Sequence, residues 1–431
     1  MIFAPKPENC FDEFIETYYR ECTGRFPKIE AIAGKWEFPD LIPGLSDFDT
    51  RFLCADDMTP EDWCEMSQAV GEVHLKLCIE RPEWARILEH LPGVNPTWSE
   101  FIDDESYYPE YGQWSIYHAG NTGKWREAEQ ALGRHPWDAR DEYFFLKKFF
   151  TYYGPYNRGI DPAINMGRFE NKYPLHSRIM HYFSPPLQAA VSILEKKPCK
   201  GKFSAFEKAE KFFPTLSVLR EIQEIAARHY EVPALYEESA LTRLEERLRA
   251  ALDVLLEAIQ PEITILPVEE GDDGASLRKK IAAVPVSPLL KLFDSSRFCR
   301  LFKGRLFFYA NAPAHFDNIW LIQNELSRIG EMFFKGPYRI YWETVTGERT
   351  ENPVTILDAL TPAVISKEEA DAAREFARLT PGSWEPGSEV ETARAIIPIF
   401  DHVFTGLYKL NESLKRFLAQ HGKPTAGEEN R

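Results

Sequence analysis

Apolar residues follow helical spacing at the start of the chain and strand spacing soon after. Phe11, Phe14, Ile15, Tyr18 and Tyr19 share one helical face. Pro27 separates that helix from residues 29–33, whose alternation predicts a short strand ended by Gly34. Residues 35–45 hold Pro39, Pro43 and Gly44 and predict a loop. A second strand is predicted over residues 47–53. Its period of two puts Asp47, Asp49, Arg51 and Leu53 on one face, and Phe48, Thr50 and Phe52 on the other. Thr59-Pro60-Glu61-Asp62 is a helix start, with a Thr cap, Pro at the first position and acids in the first turn. That helix runs to about Ile79, burying Trp63, Met66, Val70, Val73 and Leu77. Residues 94–102 predict a third strand on a sheet edge because of Pro96. Residues 107–114 predict an aromatic loop, and 114–117 a further strand.

Helical spacing dominates from about residue 138. Helices are predicted over 141–153, 185–194, 203–229 with a break at Pro214, and 235–259. Together they predict a helical bundle. Glu269-Glu270-Gly271-Asp272-Asp273-Gly274 reads as a turn or linker. Beyond it, the aromatic stretches 305–310 and 338–344 predict strands, with a helix at about 316–334 between them. Helices at about 367–379 and 390–419 follow, then a polar tail over 421–431, predicted disordered. The expected fold class is α+β. Residues 1–125 form a catalytic-type domain with a small mixed sheet, 126–260 a helical domain, and 261–431 an α+β accessory domain.

Composition sharpens this picture. The 431 residues suit two or three domains, and 44% hydrophobic with 13% aromatic residues supply a sizeable core. Fifty-one basic against 67 acidic residues give a formal charge of −16. That balance disfavours broad, non-specific nucleic-acid binding, which needs a basic face, and would steer a cationic small molecule toward an acidic cleft. Seven cysteines occur without a Cys-x-x-Cys spacing, so free thiols in a reducing compartment are expected. Met1 to Glu8 has no apolar run after basic residues, and no long apolar stretch occurs. A cytoplasmic chain without signal peptide or membrane span is therefore expected. Nothing in the pattern sets an oligomeric state.

The candidate chemistry centres on Ser46-Asp47-Phe48-Asp49, where Asp47 follows Gly34 by 13 residues. In so acidic a chain roughly ten acid-x-acid pairs arise by chance, so the pair gains weight only from context. That context is a strand phase with both acids on one face, an apolar Phe48 between them, and a glycine-ended strand before them. Two such carboxylates converge as ligands for divalent ions, which phosphoryl chemistry needs to neutralise charge. Glu100, in the predicted third strand, is the preferred third carboxylate and general base, with Asp103 and Glu89 as alternatives. A locally basic stretch carries Arg158, Arg168, Lys172 and Arg178. Lys172 leads as a triphosphate contact, against a salt-bridged connector. His176 and His181 are five apart, which is not a metal-pair spacing. Trp114, with Tyr107, Tyr108 and Tyr111, either stacks on a base or packs in the core. No Gly-x-Gly-x-x-Gly or Walker loop occurs.

Residues 29–53 resemble the core motif of the polymerase β-like nucleotidyltransferases, particularly the small-molecule branch that includes aminoglycoside nucleotidyltransferases. The resemblance implies that Gly34, Lys35 and Ser46 contact the triphosphate and that Asp47 and Asp49 hold Mg²⁺. Lys35 stands where the family has Ser or Gly. The expected activity is Mg²⁺-dependent transfer of a nucleoside monophosphate from a nucleoside triphosphate, ATP first, to a hydroxyl acceptor. A cationic small molecule is favoured as acceptor over a protein or RNA. The competing expectation is a catalytically inactive nucleotidyltransferase fold that binds nucleotide or a protein partner.

Overall fold

The computed structural model describes residues 11–34, 49–84, 87–88, 91–103, 107–119, 122–152, 175–227, 238–292, 297–313, 316, 319–381 and 387–421. It is an α+β protein, mostly helical with one small sheet. Helix α1 (Phe11–Arg25) buries Phe14, Ile15, Tyr18 and Cys22. Strand β1 (Ile29–Gly34) follows, then β2 (Thr50–Cys54) and, after an excursion, β3 (Ser115–Ala119). The sheet order is β2-β1-β3, with both ladders antiparallel. A parallel bridge between Cys54 and Thr97 is its one mixed element among the described residues.

Helix α2 (Pro60–Glu80) starts as its sequence dictates. Thr59 accepts from the Asp62 amide, Asp62 accepts in return from the Thr59 amide, and Pro60 fills the first position. With α1 it covers one face of the sheet, on which Ile32, Phe52 and Cys54 are buried. Ala31 and Leu53 point to the other face. There they meet Trp98, Phe101, Trp114 and Trp125 from α3 (Trp98–Asp103), the segment after α4 (Tyr108–Tyr111), and α5 (Thr122–Arg134).

A second core lies in the central helices. It joins α6 (Ala139–Tyr152) to the helices Leu175–Glu195, Lys202–Phe212, Ser217–Ala227 and Glu238–Ile259. The predicted interruption near Pro214 is present, since one helix ends at Phe212 and the next begins at Ser217. Leu277, Ile281 and Leu290 extend this core past residue 260.

The C-terminal segment corrects two expectations. Residues 305–310 and 338–344 lie in helices, Phe302–Asn311 and Gly336–Thr346, and not in strands. Phe302, Leu306 and Tyr309 recur at helical spacing, and so do Tyr338 and Tyr341; all are buried. Phe302–Asn311 is buried on most sides, whereas Gly336–Thr346 buries only Pro337, Tyr338 and Tyr341; in both, aromatic content makes β-propensity mislead. Nor does this segment keep a core to itself. Its buried residues from Leu292 to Leu414 form one cluster with those from Phe11 to Leu91. The seam is a glycine contact: a Cβ on Gly71 would lie 2.8 Å from the Gly304 Cα. The Gly304 amide donates to Ser67 Oγ at 2.9 Å.

Candidate functional site

Three strand ends meet at one edge of the sheet. Gly34, the last residue of β1, pairs with Thr50 at the head of β2 and with Ser115 at the head of β3. Asp49 immediately precedes Thr50, so the glycine and the second acid of the motif are neighbours across the ladder. Lys35, Ser46, Asp47, Glu89 and Lys172 lie outside the described residues, as do Arg158 and Arg168. His176, Arg178 and His181 fall on the backbone of the helix Leu175–Glu195, and their side chains lie outside the description.

Asp49 is gripped by Arg51 in a fork. Nη1 donates to Oδ1 at 2.8 Å and Nη2 to Oδ2 at 3.2 Å. Arg51 also donates to the Thr50 carbonyl at 2.7 Å and lies over the Trp114 ring, 5.8 Å from its centroid. Such a fork fixes the plane of the carboxylate.

Glu100 corrects a further expectation. It stands on helix α3 and not on a strand. Thr97-Trp98-Ser99-Glu100 is a capping box: the Thr97 amide donates to Glu100 Oε2 at 2.9 Å, and the Glu100 amide to Thr97 Oγ1 at 3.3 Å. Arg300 forks onto both oxygens at 2.6 and 2.7 Å, and Arg297 lies 3.1 Å away. Burial pushes the Glu100 carboxyl up, but Arg297 and Arg300 outweigh it and hold it well below the usual carboxylate range. Thr97 bridges Cys54, the far end of β2, so α3 begins roughly 16 Å along the strand from Asp49. The structure therefore does not bring Glu100 to Asp49. Asp103 is exposed at the end of the same helix.

The aromatic residues form core. Tyr107, Tyr111 and Trp114 are buried, and Phe101 stacks on Trp114 at 5.6 Å. A lysine reaches this region from the helical part, Lys148. From α6 its Nζ donates to Gln113 Oε1 at 2.9 Å and Gln188 Oε1 at 2.8 Å. Its sequence signal is position, since it stands three residues after buried Phe145 on a helical face.

His135, Asp138 and Asp141 form the one group of three metal-type ligands that converge among the described residues, and neither Asp49 nor Glu100 belongs to it. Its geometry is that of a helix cap. Asp138 precedes α6 and accepts from the Arg140 amide at 2.7 Å, while its own amide donates to Asp141 Oδ2 at 3.0 Å. His135 Nε2 sits 2.9 Å from the same oxygen, and Arg140 Nε holds Asp138 at 2.8 Å. The Asp141 hydrogen bond raises the His135 pKa above its ordinary value.

Comparison with protein-family models, curated proteins and solved structures gave no match. Among the described residues, no helix is long and apolar enough to cross a membrane. The six described cysteines are free thiols.

For a hard divalent ion the chemistry of the edge fits in part. Asp49 supplies an oxygen donor of the right kind beside a strand-ending glycine. The guanidinium fixed on that carboxylate is the feature that does not fit.

Proposed function

We propose that the protein is a Mg²⁺-dependent nucleotidyltransferase, moving a nucleoside monophosphate from a triphosphate, ATP first, to an acceptor hydroxyl. The observation that carries this reading is the register of β1 and β2. Gly34 opposes Thr50, which brings the glycine of the motif beside Asp49. A glycine there lets a phosphate approach the backbone closely. Asp47 and Asp49 are the proposed metal carboxylates, and Gly34, Lys35 and Ser46 the proposed triphosphate contacts. Lys172 keeps its proposed role as a further cation for the phosphates. A divalent ion held by Asp47 and Asp49 would neutralise the phosphates and polarise the phosphoryl group. Glu100 is left out of the reacting set, because two arginines and a backbone amide hold its oxygens. The acidic net charge favours a cationic small molecule as acceptor over RNA.

One observation favours a second reading. Arg51 already pairs with Asp49, as suits a fold that binds nucleotide or a protein partner without transferring anything. Measuring Mg²⁺-dependent ATP and GTP binding, and pyrophosphate release with candidate acceptors, separates the two. Transfer predicts that Asp47→Ala/Asp49→Ala loses both signals. Metal-dependent binding that survives the double substitution refutes the metal assignment. Binding that depends on the pair, with no pyrophosphate from any acceptor, supports the second reading.

A further inference from the structure

We draw no further inference here: the strongest candidate, the His135, Asp138 and Asp141 cluster at the N-terminus of helix α6, is the helix cap already described, with Arg140 paired to Asp138 and Asp141 held by His135 and the Asp138 amide.

Discussion

Replacing Gly304 by alanine should damage the molecule far more than so small a change suggests. A Cβ at that position would stand 2.0 Å from the Ser67 carbonyl oxygen and 3.1 Å from Leu91 Cδ2. Carbon and oxygen approach to about 3.3 Å, so α2 and the helix Phe302–Asn311 would have to part by about 1 Å. Overpacking of this kind costs about 2–3 kcal/mol. Straining the Ser67–Gly304 hydrogen bond adds about 1 kcal/mol, and alanine's better helix propensity returns about 1 kcal/mol. The net expectation is a loss of about 2–3 kcal/mol. Gly133→Ala is the control, because a Cβ there meets nothing within 4 Å on helix α5. It should stabilise by about 0.5–1 kcal/mol. Urea titration monitored by tryptophan fluorescence reads both variants, Trp63 being buried on α2. A Gly304→Ala midpoint within error of the native one would refute the close helix crossing.

Glu100→Gln should cost about 3–5 kcal/mol, because it leaves buried Arg297 and Arg300 without their carboxylate. The folded pKa of Glu100 lies below its unfolded value. Its stabilisation is therefore present above about pH 4.3 and is lost as pH falls through the folded value. Stability measured against pH should show a shallower acid slope in Glu100→Gln than in the native chain; equal slopes would contradict the assignment. His135 carries the opposite sign. Its folded pKa is raised, so its contribution is complete below about pH 6.5 and fades as pH rises through the folded value. His135→Gln should remove that alkaline loss, as melting temperatures across the range would reveal.

Local chemistry made part of this fold legible. The Thr59 cap with Asp62, and the helix Lys367–Leu379 behind Ser366, follow from side chains within one turn of each other. The same rule was available at Thr97 and Glu100, but Pro96 and the aromatic run around it suggested an edge strand. The order of a glycine-ended strand, a loop and a second strand was also legible, but the pairing of Gly34 with Thr50 was not. The hold of Arg297 and Arg300 on Glu100 was not. The Arg300 contact spans 200 residues, and no periodicity encodes a partner so distant. The helix Phe302–Asn311 was misread because burial on many sides erases the polar stripe that marks an amphipathic helix, and Gly336–Thr346, which buries only Pro337, Tyr338 and Tyr341, because its aromatic residues carry β-propensity.

The glycine seam between α2 and the helix Phe302–Asn311 also bears on how the chain is made. Ser67 and Gly304 are separated by 237 positions, and a ribosome adds about 5–20 residues each second. The apolar side of α2 therefore waits roughly 10–50 s for the helices that cover it. During that interval the sheet and its first two helices can be assembled, while the surface that finally joins them to the end of the chain stays open to solvent and to chaperones. Synthesis arrested in the central helices should leave a product that binds chaperones through α2, where buried Val70 and the bare backbone at Gly71 offer a smooth apolar groove.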